Sequence, residues 1–478
     1  MTVKRKPTFF EAILPIIALF LLLSVGYGIF RLKVEVLLVL SAVFASFIAL
    51  RVGVSWDEMM EGITEKVDKG LSTMLILVIV GVIISSMMMS GTLPMLIYYG
   101  IQIINPRFLY VSAFLICAVV STCTGTSWGS MGTMGVVMIT IAEGLGLSLP
   151  ITAGAVVSGA YFGDKMSPLS DTTVMAPMVA GADLYDHIRH MFYTTIPSAI
   201  VAVLVYGILG FCTSTASLAD SEVVTAMLET LDSIYNWNII LLLPLLLVLA
   251  GSLLKKPTIP VMVVSCITAL LLGVYYQGFS VKNAFLATYG GFQVSMVTKN
   301  GFDVSQVIPE IQTLLNRGGM TSMLSTVLLI LCAFCFAGII TKAGCLDVIL
   351  EKLMKLVKTS GQLIAATAAS CIFMALTTCS GSMVLLIPGE IFADIYRKKG
   401  YAARNLSRTL EDSGTVVVPL VPWSVAGAYT TGVLGVATMA YLPWAVFNYS
   451  CVLFALICGF TGIGIMTLEQ ENAIKKKK

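Results

Sequence analysis

The 478-residue sequence is short of charge. Lys, Arg, Asp and Glu together make up 12% of it, about half the ~25% of an ordinary soluble domain. With 57% hydrophobic residues, that shortage excludes a soluble enzyme, a disordered chain and a nucleic-acid binder, which needs a basic face. Histidine is scarcer still: His187 and His190 are the only two. That leaves no metal or nucleophile–base constellation for a membrane-embedded enzyme. No GxxxxGK[ST] sequence occurs, which argues against ATP as an energy source. The eleven cysteines are scattered through apolar segments and read as small core residues. Cys332 and Cys335 form a CxxC with no second pair to complete a metal site, so no cofactor is expected. Lys4, Arg5 and Lys6 precede an apolar run at 13–30. It is too long for a signal-peptide core, lacks a convincing small-residue cleavage site, and reads as a first membrane span.

What the sequence has in abundance is long apolar runs, each able to cross the ~30 Å hydrocarbon core. The fold class they imply is an all-α polytopic membrane protein. Full spans are expected at 12–30, 34–50, 71–90, 150–180, 191–212, 237–254, 258–276, 321–341, 409–435 and 444–466. Two further regions, 108–142 and 361–396, are interrupted midway by small polar residues and read as re-entrant hairpins. Such irregular backbone is tolerated only where protein or a water-filled cavity satisfies it.

With the N-terminus in the cytoplasm, 22 of the 29 basic residues fall on the cytoplasmic side and six outside, and Lys165 alone remains within a span. This positive-inside bias fits a topology with both termini in the cytoplasm. The external stretch 213–236 carries Asp220, Glu222, Glu229 and Asp232 and no basic residue. The tail Lys475–Lys478 reads as an anchor at the anionic leaflet.

The chain also resembles itself. Ser72-Thr73 matches Ser325-Thr326, and Gly91-Thr92-Leu93 matches Gly344-Cys345-Leu346, both at an offset of 253. Thr122-Cys123-Thr124-Gly125-Thr126 matches Thr378-Cys379-Ser380-Gly381-Ser382 at 256, and Pro168 with Ser170 matches Pro422 with Ser424 at 254. The expected organisation is an N-terminal span (1–33), a first repeat (34–212), a connecting loop and span (213–257), a second repeat (258–466) and a basic tail (467–478). In the topology above the repeats have opposite orientations. Inverted repeats with broken helices characterise secondary transporters, whose substrates bind near the midplane where the repeats meet.

Three motifs place polar groups at membrane depth. The first hairpin tip offers Thr124, Gly125, Thr126 and Ser127, hydroxyls and freed carbonyls suited to a hard cation such as sodium. Close helix packing through small residues is the blander alternative. The second motif runs from Gly163 to Thr173 and holds Asp164, Lys165, Ser167, Pro168, Ser170, Asp171, Thr172 and Thr173. Ionisable residues inside a span mark function by default, and Pro168 removes a helical hydrogen bond, so unwinding is expected there. Lys165 either neutralises Asp164 or competes with sodium for it. The third motif, Glu411-Asp412-Ser413-Gly414 followed by Ser424, is expected near the cytoplasmic end of its span, where a solvated helix start is the alternative. The second tip contributes Ser380, Gly381 and Ser382. Sodium-site candidates are Asp164, Asp171, Thr126 and Asp412.

Other features are weaker. Glu143 is expected to be solvated in an external turn. Glu390 and Asp394 lie on the second hairpin, where one could face the pathway. The two histidines read as part of an interfacial helix. A channel would also use polar tips, but gains little from inverted broken repeats.

At Gly125-Thr126-Ser127-Trp128-Gly129-Ser130-Met131-Gly132-Thr133, and over the longer stretch 158–173 (SGAYFGDKMSPLSDTT), the sequence resembles the NhaC family of sodium/proton antiporters. The resemblance covers most of the chain. It implies a bacterial inner-membrane transporter of sodium and protons, with the hairpin domain moving as an elevator. The family also includes an exchanger of malate plus protons for lactate plus sodium, so a small organic acid stays open as a further substrate. The residues alone leave this open too, since Lys165 is the only basic side chain they place firmly within the membrane. A homodimer would supply the fixed scaffold an elevator needs, although no residue pattern argues for it directly.

Overall fold

The structure, a computed structural model, describes residues 5–213, 222–254, 256–297, 314–354 and 359–475, with isolated positions between 302 and 312. Lys4, Asp220 and the tail residues 476–478 lie outside the described residues. Among the described residues the chain is helical, with one isolated bridge between Tyr401 and Thr467. Eight helices among the described residues are long and apolar enough to cross a membrane, and three bent helix pairs qualify jointly. The chain is a multi-pass membrane protein.

Leu184–Cys212 shows how composition dictates this placement. Ile200, Leu204, Ile208 and Phe211, three or four residues apart on one face, are 55–61% exposed. The opposite face buries Thr194, Ser198, Ala202, Tyr206 and Gly210. A helix that buries its small and polar side and exposes its aliphatic side is built for lipid, where small residues let helices approach closely.

In chain order the first helices are α1 (Phe9–Leu21, extended by a π-helical turn to Tyr27), α2 (Val34–Arg51) and α3 (Trp56–Ser90). α3 has 35 residues, about 52 Å at 1.5 Å per residue, far more than the ~30 Å core requires. Its start is fixed by a capping box. The Ser55 hydroxyl accepts from Glu58 N–H, and the Glu58 carboxylate accepts from Ser55 N–H at 2.9 Å, a reciprocal arrangement that satisfies two orphan donors. Gly91, at φ +88°, ends it, a left-handed position that glycine fills without a Cβ clash. α4 (Thr92–Ile103) follows.

α5 (Leu109–Thr124) ends at a break, and the chain resumes as α6 over 127–144, which contains a π-helical turn at Met131–Gly135. α7 (Leu149–Met166) and α8 (Asp171–Ala180) are the two halves of a broken helix, and α9 is Leu184–Cys212. The unwinding expected at Pro168 occurs at 167–170. α5 lies directly on α7 because Gly159 and Gly163 are there: a Cβ at Gly159 would meet the Phe114 carbonyl at 2.1 Å, and one at Gly163 the Ala118 carbonyl at 2.3 Å. Ser121 seals the contact by donating to the Ala160 carbonyl at 2.6 Å.

The run 237–254 holds one helical segment from Ile239, and the bend lies just before it. After α10 (Glu222–Ile234) the chain makes a 3-10 turn and then α11 (Leu243–Leu253), bent by 97° from its predecessor. α12 (Thr258–Tyr275) packs on α3, and α13 (Val281–Gly290) follows.

The order of elements then recurs. α14 (Leu324–Lys342) ends at Gly344, φ +70°, and α15 (Cys345–Met354) follows, as α4 follows α3. α16 (Ser360–Thr378) and α17 (Gly381–Lys398) flank a break. α18 (Ala403–Leu410) runs through a π-helical turn at Glu411–Thr415, and α19 (Val425–Leu434) continues it at a 50° bend. α20 (Val446–Thr461) packs on α16, as α9 packs on α5, and α21 (Leu468–Lys475) ends the described chain. α3 and α14 lie against each other through Gly62 and Gly338.

Candidate ion-binding cavity

Each tip is built from a left-handed residue followed by a helix cap. In the first, Gly125 (φ +69°) ends α5 and donates its N–H to Ser121 O at 2.8 Å, while Thr126 caps the next helix by accepting from Gly129 N–H at 3.3 Å. In the second, the left-handed residue is Cys379 (φ +58°), and Ser380 is the cap. Thr126 thus corresponds to Ser380 at an offset of 254. The 256 offset expected from the Gly-Thr and Gly-Ser matches is two residues off, because Gly381 is already the first residue of α17. Each tip touches a helix break. A Cβ on Gly125 would meet the Leu169 carbonyl carbon at 2.8 Å, and Val425 N–H donates to Cys379 O at 3.1 Å.

Both tips and both breaks open onto one cavity of about 640 Å³. Two carboxylates line it. Asp164, near the end of α7, is buried, and its Oδ2 accepts from the Ser127 hydroxyl at 2.8 Å. Asp171, the first residue of α8, is exposed to the cavity between Ser170 and Thr172, whose hydroxyls share a hydrogen bond at 3.1 Å. Thr124, Thr126, Ser380, Gly381 and Ser382 also line it. A buried and a cavity-exposed carboxylate, with hydroxyls and a broken helix between them, present the oxygen-rich, flexible donor set that a hard cation takes. Trp128 and Tyr429 stack at 4.5 Å across the wall, and Tyr429 donates its OH to the Trp128 carbonyl at 2.8 Å, tying the first tip to α19.

Beneath the cavity lies a second polar centre. Lys165, fully buried, forms an ion pair with Asp412 and not with its neighbour Asp164, correcting the expectation of an internal Asp164–Lys165 pair. The Thr194 hydroxyl donates to the same Asp412 Oδ1 at 2.9 Å, and Arg408 Nε sits 3.9 Å from Oδ2. Arg408, assigned to the cytoplasmic edge by charge counting, is fully buried and donates to Gly464 O at 2.8 Å. Lys165 is therefore not the only buried basic side chain. Glu411 and Asp412 are also fully buried rather than solvated at a helix start, and neither Glu411 oxygen has a partner among the described residues. His187 and His190, expected on an interfacial helix, are buried as well, hydrogen-bonded to Ser407 at 2.8 Å and Asn405 at 3.2 Å.

The remaining candidates stay close by but do not line the cavity. Thr173 donates to Asp164 O at 3.0 Å, Ser167 accepts from Leu169 N–H at 3.3 Å, and Ser413 donates to Thr409 O. Ser424 caps α19, accepting from Gly427 N–H at 2.9 Å. Glu143 is ion-paired with Arg317 rather than solvated. Glu390 and Asp394 are exposed away from the cavity, and Asp394 pairs with Arg397 at 2.9 Å. Several polar cavity-lining residues fell outside the three sequence motifs, among them Tyr161, Tyr429 and Lys66. Tyr161 lay in the quoted 158–173 stretch. Lys66 gave no signal, because it reads as one charge in a polar helix start.

A family model described as the Na+/H+ antiporter family matches residues 159–463, from the broken helix through α20. The chain belongs to this family. An uncharacterized Na(+)/H(+) antiporter of Haemophilus influenzae is 45% identical over 466 residues, 98% of each chain. The Na(+)/H(+) antiporter NhaC of Alkalihalophilus pseudofirmus is 40% identical over 457 residues, 94% of this chain and 95% of the relative. A malate-2H(+)/Na(+)-lactate antiporter of Bacillus subtilis is 34% identical over 475 residues, 99% of each chain. Asp164 and Asp171, the last turns of α7 and all of α18 fall within the matched segment, so the family assignment covers the cavity's carboxylates.

Proposed function

We propose that the protein is a secondary antiporter exchanging sodium for protons across a bacterial inner membrane, with Asp164 and Asp171 binding the ions. The observation that carries this reading is the convergence of two broken helices and two hairpin tips on one cavity holding two carboxylates. The family and the NhaC relatives support the same ion pair.

The two runs of like elements are read as inverted repeats, with the hairpins and broken helices as the moving unit and α3 and α14 in the scaffold. Exposed Lys69 and Lys256 on the cavity rim belong to segments that charge asymmetry assigns to the cytoplasm. In that reading both termini are cytoplasmic and the cavity faces inward. A homodimer supplies the scaffold's anchor. Ser127 holds Asp164 in place for the ion, Asp171 completes the charge, and the Lys165–Asp412 pair fixes α7 against α18. Sodium and proton then compete for the same carboxylates, so that one empties as the other fills.

The test is reconstitution into liposomes. A sodium gradient should drive proton flux in the wild type, and Asp164→Asn should abolish it. Proton flux unaffected by the sodium gradient would overturn the reading.

A further inference from the structure

Glu411 opens the π-helical turn that follows α18. It is fully buried, and neither of its carboxylate oxygens has a hydrogen-bond partner among the described residues. The basic groups nearby are directed at its neighbour instead. Lys165 pairs with Asp412, Arg408 Nε lies 3.9 Å from Asp412 Oδ2, and Arg408 Nη1 donates to Gly464 O at 2.8 Å. A carboxylate withdrawn from water without such a partner is costly, and an ionisable group at membrane depth marks function by default. One turn on, Thr415 is buried too, and its hydroxyl also has no partner among the described residues. That is not the habit of this helix, where Thr409 donates to Asn405 O at 2.8 Å and Ser413 to Thr409 O. Residues four apart share a helix face, so the Glu411 carboxyl and the Thr415 hydroxyl stand on one side of the turn. No hydrogen bond joins them in either direction. Thr415 also lines the cavity, and π-helical turns recur at functional sites.

We propose that Glu411 and Thr415 form a second sodium seat, one helical turn below the floor of the cavity and separate from Asp164 and Asp171. Three buried oxygens without partners, two of them on a carboxylate, are the donors a hard monovalent cation takes. An ion held between the two side chains supplies the missing charge and fills the place of the hydrogen bond they do not make. A proton on Glu411 would cancel the charge as well, but a carboxylic acid beside a hydroxyl closes a hydrogen bond, and none is formed. Gly414 lets the turn lie close against α17, where a Cβ would meet Val384 and Leu385 side chains at 2.9 Å. That flank is packed with apolar groups, so the approach to Glu411 is from the cavity, past Thr415. The Lys165–Asp412 pair beside the seat is neutral in itself and needs no further ion. The proposal rests on the reading of this cavity as the route by which sodium arrives.

The experiment is equilibrium binding of radioactive sodium to purified full-length protein at alkaline pH, with sodium-driven proton flux measured on the same preparation in liposomes. The wild type should bind about two sodium ions per chain. Glu411→Gln, which keeps the shape and removes the charge, should bind about one. Thr415→Val removes the hydroxyl at nearly constant volume and should weaken the second ion about ten-fold. Thr415→Ser should restore it to within about three-fold, since the oxygen donor is kept. The Thr415 pair reads the same seat with Glu411 left in place. A single sodium ion per chain in the wild type, or an undiminished count in Glu411→Gln, would overturn the proposal. Fewer protons displaced per sodium in that variant, at an undiminished count, would make Glu411 a proton seat instead. The flux separates the two readings. Flux with a single bound sodium sinks the second seat alone, whereas two bound ions, one of them lost in Glu411→Gln, without flux sink sodium–proton exchange alone.

Discussion

Ser127 donates its hydroxyl to Asp164 Oδ2 at 2.8 Å, joining the first hairpin tip to the broken helix α7 at the wall of the cavity. A hydrogen bond to a charged group contributes about 1.5–3 kcal/mol. Ser127→Ala leaves the carboxylate but frees it from the tip. Sodium half-saturation for transport should rise roughly ten-fold, with protein yield unchanged, because about 1.4 kcal/mol is a factor of ten. Unaltered sodium affinity in Ser127→Ala would mean that the tip does not position Asp164.

The Lys165–Asp412 pair makes a prediction about stability. Removing one partner of a buried pair leaves an uncompensated charge and costs about 3–5 kcal/mol, while replacing both by apolar groups is often neutral. Asp412→Leu should lower the melting temperature in detergent sharply. The double variant Lys165→Met/Asp412→Leu should recover most of the loss. A double variant no better than the single one would show that Lys165 is compensated by something other than Asp412.

Gly125 tests the tip backbone. At φ +69°, any Cβ there is strained, and it would also meet the Leu169 backbone at 2.8 Å. Gly125→Ala should therefore pry the tip from the 167–170 break and reduce sodium-driven flux by an order of magnitude or more, an effect of about 1–2 kcal/mol from the backbone alone. Gly381→Ala is the contrast: a Cβ there meets nothing within 4 Å, and its effect should be far smaller.

Much of this arrangement was legible in the sequence. The helix breaks after Thr124 and Thr378, the unwinding at Pro168 and the polar residues at those breaks follow from small polar residues inside apolar runs, which only a satisfied break tolerates. The αL glycines Gly91 and Gly344 likewise matched at one offset. What the sequence hid was lateral neighbours. Arg408 lies in a basic stretch that counts as cytoplasmic, yet it is buried because Gly464 and Asp412 receive it. Lys165 stands beside Asp164 in the chain, but successive helix residues point in different directions, so its partner is Asp412, 247 residues away. The second tip's left-handed residue is a cysteine, so matching glycines misregistered it by two.

Competition between sodium and protons predicts a pH dependence. A proton on a cavity carboxylate removes the charge that attracts sodium. The apparent sodium affinity should therefore fall as the pH drops from about 9 to about 6, while the affinity at the alkaline end approaches a plateau. Initial rates of sodium-driven flux at several sodium concentrations across this range check it. A sodium affinity independent of pH would place the two ions on separate sites.

The most direct test of the account is sodium binding to Asp164→Asn and Asp171→Asn, with Glu390→Gln, exposed on the second hairpin away from the cavity, as the comparison. Two unit charges 4 Å apart attract by about 4 kcal/mol at an effective dielectric of 20. Losing even a third of that weakens binding about ten-fold. Calorimetric titration of the three variants with sodium at alkaline pH should show both Asp variants weakened by roughly ten-fold or more and Glu390→Gln unchanged. Wild-type sodium affinity in both Asp variants would contradict the assignment of this cavity as the ion site.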